Sequence, residues 1–440
     1  MSIDSPYINM RLTSYLSTVS VLLAAFTAIH AAPPVPVAKY SGATSGRHIV
    51  QLKPDASRSD WIQKLGLPED TVQWDLINGF TAQLSEDALA MLQSSEEVDN
   101  ISESGLPPAL SDVFEAATTP SNGTRRLRNN GAEDTVDVLG KVTQNSASWG
   151  LQRISQREPL ARQYWEYPSS KYTYDNATAG SGVDIYIIDG GVSMEHNEFK
   201  GRIRFGTRTL YPTHPPEWGF LTGTFCASVA AGTRWGIAKN ANIISVVAYL
   251  LTTYDTLISA LDWVAQQVKA TGRPSIAHIH TIRHGFIGPS VPLDNAAANL
   301  VSRGIHVVIG AGDDNVDVAN SRSPSPARVP SVITVGASEV TDTRFTSSNY
   351  GARVDLHAPG AGVQTADLLP GGHYEGAYAD RWGTSIASSH VAGIIAYLIS
   401  KDGNATPAAM KDKLLKLAVR DALRGLPAGT PNLLAQLGPV

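Results

Sequence analysis

From Trp149 onward, short apolar runs alternate with stretches of helical length, and this alternation constrains the fold more than any other feature. The apolar runs are 183–188, 243–248, 305–309 and 332–335. Segments such as 257–268 and 295–303, whose apolar residues recur at helical spacing, separate them. Strands that alternate with helices are joined by crossovers, which predicts a mostly parallel sheet covered by helices on both faces. In such α/β folds, functional residues lie at the carboxyl ends of the strands.

A smaller module precedes this region, and 440 residues suit two domains. Residues 48–52 alternate as a strand, Asn78-Gly79 indicates a turn, and Ser85 is a suitable N-cap for a helix over 85–94. We therefore expect a small α+β domain over 47–105. The remaining predicted ranges are a signal peptide at 1–31, a linker at 106–148 and the large domain at 149–440.

The N-terminus is typical of a secretory signal. Arg11 precedes the apolar stretch 12–29, which ends in the small residues Ala31 and Ala32. A membrane anchor is the alternative, but serines and threonines dilute the stretch and no basic flank follows it. We expect a secreted, extracellular protein with no membrane partner.

Composition narrows the class of partner. A net charge of -5 with no basic patch argues against nucleic acid binding. The single cysteine, Cys226, lies in an apolar run and is expected to be a buried, inert thiol. We expect a monomer. Asn-x-Ser/Thr sequons for glycans occur at Asn100, Asn122, Asn176 and Asn404.

The predicted linker over 106–148 is rich in small and polar residues. It contains Arg125-Arg126, which is either a site for a processing protease or a solvated charge cluster.

Two motifs lie at predicted strand or helix ends. Asp189 ends an apolar strand and precedes two glycines, as either a turn residue or a functional acid. Ser385 lies at the start of a helix, either as an N-cap or as a nucleophile that the positive end of the helix dipole would favour.

Together these motifs resemble the subtilisin-like serine proteases of the proteinase K branch. Residues 187–189 and 196–199 are similar to the family's aspartate segment, and 383–393 to its serine segment. Residues 235–238, 335–338 and 348–351 are similar to further family runs, and the small module is similar to the inhibitory propeptide. The resemblance implies a subtilisin-like fold, with Asp189 and Ser385 as members of a catalytic triad.

The chain departs from the family at the triad histidine. The resemblance places Thr222 at that position, within Leu221-Thr222-Gly223-Thr224. A serine hydroxyl is a weak nucleophile unless a neighbouring base accepts its proton, and a threonine hydroxyl is not such a base.

The oxyanion site and the substrate-binding edges also differ. Asp313 lies where the family has an asparagine whose amide stabilises the oxyanion, and a carboxylate there would repel it. Residues 281–284 and 250–253 replace the family's glycine-rich strands, where side chains would crowd a substrate backbone.

Two other histidines were candidates for a substitute base. His214 lies on a proline-rich loop, and His390 follows Ser385 by five residues on the same helix, where it would face elsewhere. For both histidines, a position on the surface or in the core is a better interpretation than the role of a substitute base.

The resemblance also implies a structural calcium, held by the carbonyls of Pro330 and Val332 and the carboxylate of Asp355. Oxygen ligands suit this hard cation, although an unliganded loop aspartate is an equal interpretation. No cofactor is expected to be required.

Two functions remain. The first is a proteolytically inactive homologue that binds a peptide or protein ligand, and its own propeptide module. The alternative is a weakly active serine endopeptidase acting through Ser385.

Overall fold

The computed structural model describes residues 33–105, 125–126, 134–138, 140–164, 169–209, 220–248, 253–280, 289–319, 324–366 and 377–438. The predicted signal peptide, the sequon at Asn122, His214, and the substrate-edge residues 250–252 and 281–284 lie outside these ranges. Among the described residues, none of the helices combines the length and apolarity that crossing a bilayer requires.

The N-terminal module is a five-stranded sheet with two helices, in the order β1-β5-β2-β4-β3. Its elements are β1 (Val37–Ala38), β2 (Thr44–Leu52), α1 (Arg58–Lys64), β3 (Gln73–Trp74), β4 (Gly79–Ala82), α2 (Glu86–Gln93) and β5 (Val98–Gly105). The expected turn precedes β4, where Asn78 has a φ of 44°. Ser85 caps α2 by accepting a hydrogen bond from the amide of Ala88.

The large domain is built on a nine-stranded sheet in the order β11-β12-β10-β13-β14-β15-β16-β20-β19, parallel except between β19 and β20. Its strands are β10 (Asp184–Asp189), β11 (Ile203–Arg208), β12 (Asn242–Val247), β13 (Ser275–Ile279), β14 (His306–Gly310), β15 (Ile333–Ser338), β16 (Leu356–Pro359), β19 (Val419–Arg420) and β20 (Leu433–Leu434). The α/β expectation is confirmed.

Helices cover both faces of this sheet. They are α3 (Trp149–Arg153), α4 (Phe220–Ala231), α5 (Tyr254–Thr271), α6 (Val291–Ser302), α7 (Thr384–Asp402) and α8 (Pro407–Leu417), with 3-10 turns at Arg162–Tyr164 and Asn197–Phe199. Alternation along β10 sends Ile185 and Ile187 into a core with α4 and α7, and Tyr186 and Ile188 into a core with α5 and α6.

Two small sheets complete the fold, in the orders β7-β8-β9 and β17-β18-β6. Their strands are β6 (Arg125–Arg126), β7 (Thr135–Val136), β8 (Lys141–Ala147), β9 (Ser170–Asp175), β17 (Ala361–Ala366) and β18 (Ala377–Trp382). The linker prediction is wrong for 141–147, because β8 pairs with β9 and buries Val142 and Ala147.

The N-terminal module packs on the α5 and α6 side of the large domain. Asp255, in the first turn of α5, accepts hydrogen bonds from Ser104 Oγ (2.6 Å) and Thr81 Oγ1 (3.2 Å), and lies 3.4 Å from Arg47 Nε. Farther along α5, the Trp74 indole donates to Ser259 Oγ at 2.7 Å. Asn299 of α6 donates to the Leu76 carbonyl at 2.7 Å, so polar contacts bind the module to both helices.

Candidate active site

Asp189 is the last residue of β10 and is fully buried. Its Oδ1 accepts a hydrogen bond from the Thr222 hydroxyl at 2.6 Å and from the Gly190 amide at 2.6 Å. Thr222, which the resemblance places at the position of the triad histidine, therefore directs its hydroxyl at this acid.

Thr222 is held there by the close approach of α4 to the turn after β10. A Cβ added to Gly223 would lie 2.1 Å from the carbonyl oxygen of Gly191, which no side chain can tolerate. Glycine at 223 therefore allows the helix to bring Thr222 against Asp189.

A residue that the sequence interpretation missed, His280, lies on the other side of the same carboxylate. Its Nδ1 is 3.3 Å from Asp189 Oδ2, and its side chain is 17% exposed. The backbone explains this position: Ile188 is in register with Ile279, and the His280 amide donates to the Ile188 carbonyl. The signal in the sequence was a histidine directly after an apolar strand, which becomes informative once β13 is known to neighbour β10.

Ser385 is the second residue of α7, since Gly383 is the N-cap and the helix begins at Thr384. The N-cap alternative for Ser385 is therefore wrong. Ser385 is buried, at 5% exposure. Its backbone carbonyl accepts hydrogen bonds from the hydroxyls of Ser388 and Ser389.

The two histidines nearest to this helix are core residues. His278 Nε2 lies 2.9 Å from Ser388 Oγ, and burial, with a smaller contribution from His280, lowers the pKa of His278 to about 3. Burial lowers the pKa of His390 to about 4, and its Nδ1 lies 3.0 Å from the Ile386 carbonyl of its own helix. This agrees with the expected packing role of His390.

Asp313 interacts with the start of α7. Its Oδ1 accepts from the Thr384 amide at 2.9 Å, and its Oδ2 from the Thr384 hydroxyl at 3.2 Å. The side chain is 8% exposed. Asp313 therefore caps the helix that carries Ser385, and places a carboxylate at the helix end whose dipole would otherwise favour an oxyanion.

The three oxygens predicted to bind calcium do converge, but on a lysine. Lys411 Nζ donates to the carbonyls of Pro330 and Val332 at 2.8 Å each, and lies 2.8 Å from Asp355 Oδ1. An ammonium at the centre of the oxygens would repel a divalent cation, so these residues do not fit calcium.

Cys226 lies in the second half of α4 and is buried, as expected. Burial, and then the charge of Asp189, raise the pKa of its thiol well above the usual value. This thiol is protonated near neutrality.

Comparison with known proteins identifies the family of this chain. The model of the subtilase family, Peptidase_S8, matches residues 180–436. The chain belongs to the subtilase family. Thus the resemblance to subtilisin-like proteases is confirmed.

Individual subtilases match over most of the chain. A cuticle-degrading protease of Metarhizium anisopliae is 32% identical, over 98% of this chain and 100% of the relative. An alkaline serine protease of Corniculantispora psalliotae is 31% identical, over 97% of this chain and 99% of the relative. The crystal structure of a cold adapted subtilisin-like serine proteinase is 34% identical, with a TM-score of 0.55, and covers 66% of this chain and 98% of its own. The subtilisin-like fold is therefore shown by sequence and by structure.

Proposed function

We propose that this subtilase has lost peptidase activity and acts by binding a peptide or protein ligand. The hydrogen bond from Thr222 to Asp189, 2.6 Å long, carries the proposal. In a serine protease the buried acid orients an imidazole, which accepts the proton of the nucleophile. Here Oδ1 of the acid orients a hydroxyl, which cannot accept a proton near neutral pH.

The position of Asp313 supports the same proposal independently. A carboxylate that accepts from the Thr384 amide lies next to Ser385, where negative charge would develop during acyl transfer. Because oxyanion stabilisation depends on donors aimed at that charge, an acceptor there raises the barrier.

Labelling with a fluorophosphonate probe tests this proposal directly. We expect the purified full chain to label no more than its Ser385→Ala variant, and to show no hydrolysis of casein or of peptide anilides. Labelling that depends on Ser385, with turnover within about a hundredfold of the Metarhizium relative, would contradict the proposal. Binding is measured separately on an immobilised peptide library, where capture of no peptide would remove the binding role.

A weakly active serine endopeptidase is the second candidate, and the position of His280 favours it. The Nδ1 atom of His280 lies 3.3 Å from the carboxylate of the buried Asp189. In a catalytic triad the histidine also faces the acid through Nδ1. If residual hydrolysis is found, His280→Ala should abolish it and Thr222→Ala should not. This pair of variants tests whether His280, rather than Thr222, takes part in that hydrolysis.

We also propose that the protein is exported through a signal at 1–31. Glycans are then expected at the exposed Asn176 and Asn404 in preference to Asn100, whose side-chain oxygen is buried in β5. Intact mass and N-terminal sequencing of protein recovered from the medium test both statements, and retention in the cell with residues 1–31 attached would contradict export.

A further inference from the structure

Three side chains with different donor atoms converge below the start of α7. A carboxylate oxygen of Asp189, the sulfur of Cys226 and a ring nitrogen of His280 all lie within 4.8 Å of one another. They come from the end of β10, the middle of α4 and the residue after β13, so three separate parts of the chain fix their positions.

The distances suit a tetrahedral metal. Ligands held at zinc's usual bond lengths lie about 3.3–3.6 Å from one another. Asp189 Oδ2 and His280 Nδ1 are 3.3 Å apart. The Cys226 sulfur lies within 4.8 Å of a carboxylate oxygen and a ring nitrogen of these two residues.

One oxygen of the Asp189 carboxylate faces the other two donors. Asp189 Oδ1 accepts two hydrogen bonds, whereas the buried Oδ2 lies 3.3 Å from His280 Nδ1, and the Cys226 thiol interacts with the same carboxylate. A buried carboxylate requires favourable partners, and a metal ion bound between these three donors would provide one.

The donor set also selects the metal. Sulfur, imidazole nitrogen and one carboxylate oxygen suit zinc, whereas calcium and magnesium require several oxygens. With the thiol deprotonated, the ligands carry two negative charges, which balance a divalent ion. The proton that leaves Cys226 passes to the solvent buffer.

We propose that the altered catalytic centre of this subtilase binds Zn²⁺ through Asp189, Cys226 and His280. Three protein ligands leave the fourth position for water, and the partly exposed His280 provides the way in. The proposal rests on the positions of three donors and not on turnover by Ser385, so it can fail or succeed apart from the loss of peptidase activity.

Titration of the untagged, metal-free full chain with Zn²⁺ tests this site by calorimetry. We expect one zinc per chain and release of about one proton, read from the dependence of the heat on the buffer. With Co²⁺ as the probe, we expect a thiolate-to-cobalt charge-transfer band. Because Cys226 is the only cysteine of the chain, this band can come only from its sulfur.

Variants decide which side chains bind. Cys226→Ser should abolish the cobalt band, and His280→Ala should weaken zinc binding at least tenfold, whereas His48→Ala, in the N-terminal sheet, should change neither. His280→Ala keeps the test decisive should Cys226→Ser fail to fold, because His280 is partly exposed. Failure of the folded chain to take up zinc, or equal affinity in the wild type and His280→Ala, would overturn the proposal.

Discussion

The ammonium of Lys411 lies 2.8 Å from a carboxylate oxygen of Asp355 and donates to two backbone carbonyls beside it. Burial raises the pKa of Asp355, and Lys411 opposes this shift. A side chain of the protein thus performs the bridging role for which a bound ion was expected.

Removing this ammonium should destabilise the protein. We expect Lys411→Met to lower the free energy of unfolding by about 1–3 kcal/mol, since it leaves acceptors without a charged donor. Lys413→Met is the matched control, because its ion pair with Asp402 is exposed and should contribute less than about 1 kcal/mol. Denaturant unfolding measures both, and equal losses would contradict the assigned role.

Calcium should affect only a variant that lacks the lysine. In zinc-free protein, the wild-type melting temperature should not change when Ca²⁺ is added. Lys411→Ser, which frees three oxygens that suit a hard cation, should melt at a higher temperature as Ca²⁺ is added. A melting temperature of the zinc-free wild type that rises with Ca²⁺ would show that a calcium site remains elsewhere.

Restoring activity should require more than a histidine. In subtilisin, loss of the histidine costs about 10⁶ in turnover, but in this chain Asp313 would still disfavour the oxyanion in Thr222→His. Adding Asp313→Asn keeps an oxygen for the Thr384 amide and supplies an NH₂ donor, so we expect the double variant to exceed Thr222→His by about 10²–10³ in kcat. Hydrolysis of a peptide anilide measures this, with Ser385→Ala in the double variant as the blank. High activity from Thr222→His alone would contradict this account of Asp313.

Stability should fall in acid because of buried neutral histidines. Burial lowers the pKa values of His278 and His357 to about 3 and of His390 to about 4. The unfolded chain binds these protons below about pH 6.5 and the folded chain does not, so each histidine costs about 1.4 kcal/mol per pH unit between pH 6.5 and its folded pKa.

Replacing one of these histidines tests that explanation. His357 makes no side-chain hydrogen bond with the described residues, so His357→Leu should reduce the loss between pH 6.5 and 4.5. Urea midpoints at pH 7, 5.5 and 4.5 measure it, and an unchanged slope would assign the acid sensitivity to other groups.

Removal of the N-terminal module should not depend on Ser385. Self-cleavage needs a working nucleophile, so Ser385→Ala should leave the processing pattern on a protein gel unchanged. Cleavage near Arg125-Arg126 should disappear when both are changed to alanine. Pairing of this segment with Tyr378 and Ala377 means that β6 must separate from β18 before a protease can bind it. A block of maturation by Ser385→Ala would instead identify Ser385 as an active nucleophile.

The strands and helices of this fold could be predicted from the sequence because the spacing of apolar residues indicates them. The apolar run that ends at Asp189 is a strand buried on both faces, and Ser85 caps a helix as expected. The position of Asp189 at a strand end follows from that pattern alone.

The contacts around the site could not be predicted in this way, because they depend on which distant segments become neighbours. His280 meets Asp189 only because β13 lies beside β10. Lys411 reaches Asp355 from a helix at the far end of the chain, and no local pattern marks that approach. Strand β8 was missed because its polar residues resemble those of a linker.

The close contact at Gly223 has a consequence for how sequence motifs should be interpreted. Because any side chain there would collide with Gly191, this glycine is required for folding whether or not the enzyme works. A glycine of this kind is needed for packing, whatever reaction the protein catalyses. Such motif residues report on the packing of the fold, and only the groups that transfer protons report on the chemistry.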